Sequence, residues 1–127
     1  KYKAGDQFTE GGKPVNGKRD ICDIYAIMYE TSESVPTLDG TNAFISPNLI
    51  STARINNAKE TNEWTYFKLP FTTLPGKFID KEKLTMGKYN ISIVFTSSLE
   101  GDHFNGAIGS TLLIDEAELI YRSNLDH

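Results

Sequence analysis

Cysteine occurs once in this 127-residue chain, at Cys22, so no disulfide can staple it internally. Flanked by Ile21, Asp23 and Ile24, with no histidine nearby in sequence, Cys22 reads as a small buried hydrophobe. Long apolar runs are missing too. None approaches the roughly 20 residues a membrane helix needs, so no direct membrane insertion is expected. Charge of one sign does not accumulate: 13 Lys and Arg stand against 17 Asp and Glu, for a net charge of −4. That balance excludes the concentrated basic surface a nucleic-acid partner requires. The densest basic stretch, Lys13, Lys18 and Arg19, is broken by Pro14 and Gly17 and reads as a solvated loop. His103 and His127 are the only histidines, which leaves no zinc site of the usual kind. No phosphate-binding glycine loop and no G-x-S-x-G elbow occur. The opening "KYKAGD" has no initiating Met and reads like the tail of a strand already under way. Upstream strands or an upstream domain are therefore expected to be missing.

Short runs rich in Ile, Val, Tyr, Phe and Thr make up the chain, separated by Gly, Pro, Asn and Asp. "DICDIYAIMYE" (20–30), "NLISTARI" (48–55), "EWTYFKLPF" (63–71), "KYNISIVFTSS" (88–98) and "GSTLLIDEAELIY" (109–121) are the expected strands. Pro70 marks an edge or a strand end, because it has no amide hydrogen for a ladder. Asn16-Gly17 and Asp39-Gly40 supply turns. "DKEKLTMGK" (80–88) is the one helix-like piece, with Asp80 as N-cap and Gly87 as stop. Strands spaced by turns, with both faces partly apolar, indicate one all-β domain over residues 1–127, an antiparallel β-sandwich.

Candidate chemistry lies at four places. Asp115 and Glu116 are adjacent in an expected strand, so their side chains point to opposite faces. They cannot act as a facing pair on one substrate. One of them is expected to point inward and take a partner. That partner is backbone N–H groups, an Arg such as Arg54, or a structural Ca²⁺ ion, which favours oxygen ligands. The loop "SSLEGDHFNGAIGS" (97–110) gathers Asp102, His103 and Asn105 beside Phe104, a composition that suits sugar hydroxyls and sugar C–H faces. Trp64 and Tyr66 share a face of their expected strand, either as a sugar platform or as core. Tyr25 and Tyr29 share a face with Asp23, and the same two readings apply.

Taken in order, the landmarks "YKAGD", "KPVNGKRDICDIYAIMYE", "VPTLDGTN", "SPNLISTARI", "EWTYFKLPF", "GKYNISIVFTSS", "GDHFNGAIGST" and "LLIDEAELIY" resemble a known family. It is the putative carbohydrate metabolism domain of secreted and surface proteins of Bacteroides-type gut bacteria. The resemblance covers nearly the whole chain. It implies a jelly-roll, galactose-binding-like sandwich similar to carbohydrate-binding modules, often C-terminal to an immunoglobulin-like domain. It also implies a cell-surface, periplasmic or extracellular location, and it places Asp115 near a structural calcium. The preferred reading is a non-catalytic, monomeric module that binds an oligosaccharide or polysaccharide. Trp64 and Tyr66, or Tyr25 and Tyr29, would supply the platform; Arg54, Asp102, His103 and Asn105 would supply the hydrogen bonds. A glycoside hydrolase is the alternative, with acids from separate segments (Asp23, Glu30, Asp102, Asp115) converging in a cleft. A structural or interaction module is the third.

Overall fold

The structure, a computed structural model, describes residues 1–38 and 42–120. The expected Asp39-Gly40 turn, Tyr121 and His127 fall outside these residues. Along the chain run β1 (Tyr2–Lys3), β2 (Phe8–Glu10), β3 (Lys13–Pro14), β4 (Asp23–Glu30) and β5 (Leu49–Arg54). After them come β6 (Thr72–Thr73), α1 (Lys81–Thr85), β7 (Tyr89–Thr96), a 3₁₀ turn (Gly101–His103), β8 (Gly106–Ala107) and β9 (Thr111–Leu112). All pairings are antiparallel, in sheets ordered β6-β5-β4-β7, β3-β2-β8 and β1-β9. The all-β, antiparallel expectation is met.

The four-stranded sheet is built around β4, whose residues 23–27 and 29 are all buried. A strand buried on both faces reads as a near-continuous apolar run, as "IYAIMY" does. Tyr25, Ile27 and Tyr29 face one way, onto Leu38, Ala43 and Leu49, with Val35, Leu74 and Val94 closing the edge of the cluster. The segment between β4 and β5 thus seals that face. A second cluster, Tyr2, Ala4 and Cys22 with Ala58 and Leu112, joins the β1-β9 ribbon to the start of β4. Cys22 is buried there, and burial pushes its thiol pKa up, as an inert core residue requires. A register shift between Met28 and Tyr29 places Leu49 opposite Tyr29.

Two expected strands are corrected. Residues 63–71 form no ladder. Thr61 makes a single bridge to Tyr2, and pairing with β5 begins only at Thr72. Pro70 has no amide hydrogen to donate, and Phe67 and Phe71 are exposed, so no core holds the run in register. Among the described residues of the run, 109–120, ladder pairing is confined to Thr111–Leu112, with one further bond from the Leu113 amide to the Lys1 carbonyl. Glu116 then takes a left-handed φ of 52°, which ends any extended course. The helix is as expected. Asp80 caps it by accepting from the Glu82 and Lys83 amides, and Gly87 at φ 70° stops it.

Candidate functional site

Arg54 ends β5 opposite Tyr25; two residues earlier in β4, Asp23 lies opposite Thr96 of β7. The Arg54 guanidinium donates through Nε and Nη2 to the two Asp23 oxygens, at 3.2 and 2.7 Å. Such a fork-to-fork pair is directional and strong. Asp23 is buried while Arg54 stays partly open. The guanidinium carbon lies 4.5 Å from the Phe44 ring centroid and 5.6 Å from that of Tyr25. Phe44 meets Tyr25 edge-on, with centroids 4.9 Å apart. Asp23 raises the Arg54 pKa, so the cation is permanent. Phe44, which sequence reasoning missed, holds the Arg54 plane against the sheet. No periodicity marks it, because it lies in a connector.

The loop between β7 and β9 carries the second group of candidates. Asp102 and His103 approach to 3.7 Å on the 3₁₀ turn, and Phe104 follows in a left-handed conformation, its ring exposed. Asn105 is committed: its Oδ1 accepts from the Gly11 amide. Glu100 and Glu10 both bind Lys18, at 3.0 and 2.8 Å. Arg19 binds Glu60. The basic loop is therefore pinned by carboxylates. Directly after it comes Asp20, a buried acid unforeseen from sequence. Its Oδ2 accepts from the Ser98 and Ser110 hydroxyls and the Ala107 amide, and its Oδ1 accepts from the Ile21 amide. Nothing in local spacing signals it, because the three donors to Oδ2 lie 78 to 90 residues away.

The two proposed aromatic pairs part company. Tyr25 and Tyr29 are 5% and 2% exposed and belong to the core, so their rings offer no platform to a ligand. That is a correction, and its cause is the connector that folds over their face. Trp64 and Tyr66 are 57% and 85% exposed. They lie on the irregular segment after Thr61, and Lys1 Nζ sits 4.9 Å from the Trp64 ring centroid.

Asp115 and Glu116 answer to solvent, not to the core: both are exposed, and neither points inward as expected. The left-handed turn at Glu116 replaces strand alternation. Among the described residues, no group of three or more His, Cys, Asp or Glu side chains is placed to hold a metal ion. The four acids of the hydrolase reading do not share a cleft. Asp23 and Glu30 occupy opposite ends of β4, about 23 Å apart at the usual strand rise. Asp23 is bound by Arg54, and Glu30 by Lys83 at 2.9 Å, a pairing that raises the Lys83 pKa. At the Glu30 end a cavity of about 120 Å³ is lined by Glu30, Ile50, Phe78, Asp80, Lys83 and Tyr89, among others. There the Asp80 amide donates to the Tyr89 hydroxyl at 2.9 Å.

Among the described residues no helix is long and apolar enough to cross a membrane. Comparison with solved structures finds close likeness. One is described as a putative glycoside hydrolase from Bacteroides thetaiotaomicron VPI-5482. It shares 87% identity at a TM-score of 0.95, over 98% of this chain and 36% of that one. A second, described as a putative glycoside hydrolase from Bacteroides vulgatus ATCC 8482, shares 45% identity at a TM-score of 0.79. That match covers 87% of this chain and 44% of the other. The chain thus spans less than half the length of either relative. No curated protein matches. The model of the family described as "Putative carbohydrate metabolism domain" matches residues 1–120, and the chain belongs to that family.

Proposed function

We propose that this domain binds an oligosaccharide or polysaccharide without turning it over, as a module of a glycan-utilisation protein at the cell surface, in the periplasm or outside the cell. The exposure of Trp64 and Tyr66 carries the reading. Two large rings on an irregular surface segment offer flat apolar faces for sugar C–H groups, and each keeps a polar tip for a hydroxyl. Arg54, Asp102 and His103 supply open polar groups, and Asn105 contributes its amide nitrogen. The family's link to carbohydrate supports a sugar partner, and the separation of Asp23 from Glu30 removes that carboxylate pair from the hydrolase reading. A glycan array with and without Ca²⁺, followed by calorimetry, tests this. Trp64→Ala and Tyr66→Ala are each expected to weaken the best glycan at least about tenfold, the cost of one lost stacking face. Unchanged binding in both variants refutes the platform. Loss of binding in chelator would assign Asp115 a calcium role. A hydrolase reading rests on Glu30 and Asp80, two carboxylates lining one cavity. Turnover of an aryl glycoside, abolished by Glu30→Gln, would establish it instead.

A further inference from the structure

Side chains alternate across the four-stranded sheet, so its two faces can be read from the register. One face is the sealed core of Tyr25, Ile27 and Tyr29. On the other, Ala26 lies between Ala53 and Ile93, Met28 faces Ile91, and Ile24 faces Phe95. From Ile24 to Met28 and from Ile91 to Phe95 this second face carries no charge; Glu30, paired with Tyr89, marks its polar end. It stays open along β7, where Ile91, Ile93 and Phe95 are 36%, 48% and 40% exposed, while Ile24, Ala26 and Ala53 beside them are buried. Among the described residues β7 is, in addition, the edge of its sheet, with one row of backbone groups unpaired by any other strand of that sheet. A sheet apolar on both faces is a middle layer, and it needs cover on each.

We infer that this face is the docking surface for a second apolar β-layer. The layer is supplied by polypeptide of the kind the longer relatives carry outside the matched region. The chemistry of the face selects the occupant. A row of Ile and Phe flanked by Ala and Met lacks the donors and acceptors a glycan needs and the cations a nucleic acid needs. It does match the inner face of another sheet, which packs about 10 Å away with interdigitating aliphatic side chains. The relatives supply the length, since 64% of the first and 56% of the second lie outside the match (100 less 36, and 100 less 44). A tethered layer also meets the face at high effective concentration, which a second copy does not. This inference stands independently of the sugar reading.

The test places this chain within the 87% identical relative, in exchange for the matched third, and follows thiol modification of Ile93→Cys. Cys22 is buried, so the native background is low. Glu82→Cys on α1 serves as the exposed reference. In the native protein the thiol at position 93 is expected to react about 100-fold more slowly than that at position 82, the gap vanishing in urea. Rates within about threefold of each other overturn the inference. So does protection that disappears on dilution together with a dimer peak, because the cover is then a second copy. If Ile93→Cys does not fold, Ile91→Cys on the same face repeats the measurement, and the same rate comparison decides it.

Discussion

Asp20 shows how a single buried carboxylate organises a loop. Each of its oxygens accepts from one backbone amide, Oδ1 from Ile21 and Oδ2 from Ala107. The hydroxyls of Ser98 and Ser110 then complete the Oδ2 shell at 2.6 Å each. In the Asp20→Asn variant the side-chain amide presents an NH₂ to one of those backbone amides in either flip. A hydroxyl can rotate to accept, but a backbone N–H cannot. The variant should lose about 2–3 kcal/mol, the cost of one buried unsatisfied donor added to weakened charged hydrogen bonds. Urea unfolding checks it: the midpoint falls with the slope unchanged. A loss under about 0.5 kcal/mol would mean that the carboxylate is not the organiser.

Among the elements, the β1-β9 ribbon depends on a close approach that side chains would forbid. The Gly5 amide donates to the Ser110 hydroxyl at 3.0 Å, and a Cβ built at Gly5 runs into the Ile108 carbonyl oxygen. Its backbone conformation is not left-handed, so crowding alone restricts the position. Gly5→Ala must push the ribbon off the loop, at a cost of about 1–3 kcal/mol as for overpacking in a core. Amide exchange should show the loss first at Leu113, whose N–H bonds to the Lys1 carbonyl. Unaltered protection there would show that the ribbon tolerates the methyl group. The same dependence on a partner explains the two strands that sequence overestimated. The alternation in "EWTYFKLPF" resembles that in "KYNISIVFTSS", and "GSTLLIDEAELIY" is a looser apolar run, but only "KYNISIVFTSS" has β4 beside it along its length. Alternation states which side chains share a face and does not provide the strand that would pair with it.

At the scale of the whole molecule, Tyr2 links the chain's beginning to its later segments. It pairs with Leu112, bridges Thr61 and donates its hydroxyl proton to the Ser97 carbonyl at 2.8 Å. Burial, more than any neighbouring charge, pushes its pKa from 10.0 up to about 12. The folded state holds this proton more tightly than the unfolded chain does. Its contribution is therefore intact below pH 10 and fades as pH rises from 10 toward 12. Tyr2→Phe should cost about 1 kcal/mol at pH 7 for the lost hydrogen bond, and its deficit against the parent should narrow above pH 10. Urea midpoints at about pH 7, 10 and 11 read this directly. A gap that stays constant across that range would show that the phenol is not held neutral by the fold.

Composition and alternation alone determined the class of this protein. Scarce helical periodicity and recurrent β-branched runs can be satisfied only by sheets. The buried, continuous strand at 23–30 was visible because apolar residues fill both its faces. The helix Lys81–Thr85 was visible because Asp80 and Gly87 are local signals. The ordered landmarks carried the family. Tertiary structure decided the rest, since it rests on groups far apart in sequence. It buried Tyr25 and Tyr29 by folding a connector over them and left Trp64 and Tyr66 in solvent for lack of a ladder. It turned Asp115 and Glu116 outward at a left-handed residue, and it made Asp20 an internal acceptor for donors 78 to 90 residues away. A residue's chemistry is written at its own position, but its exposure depends on what the fold places against it.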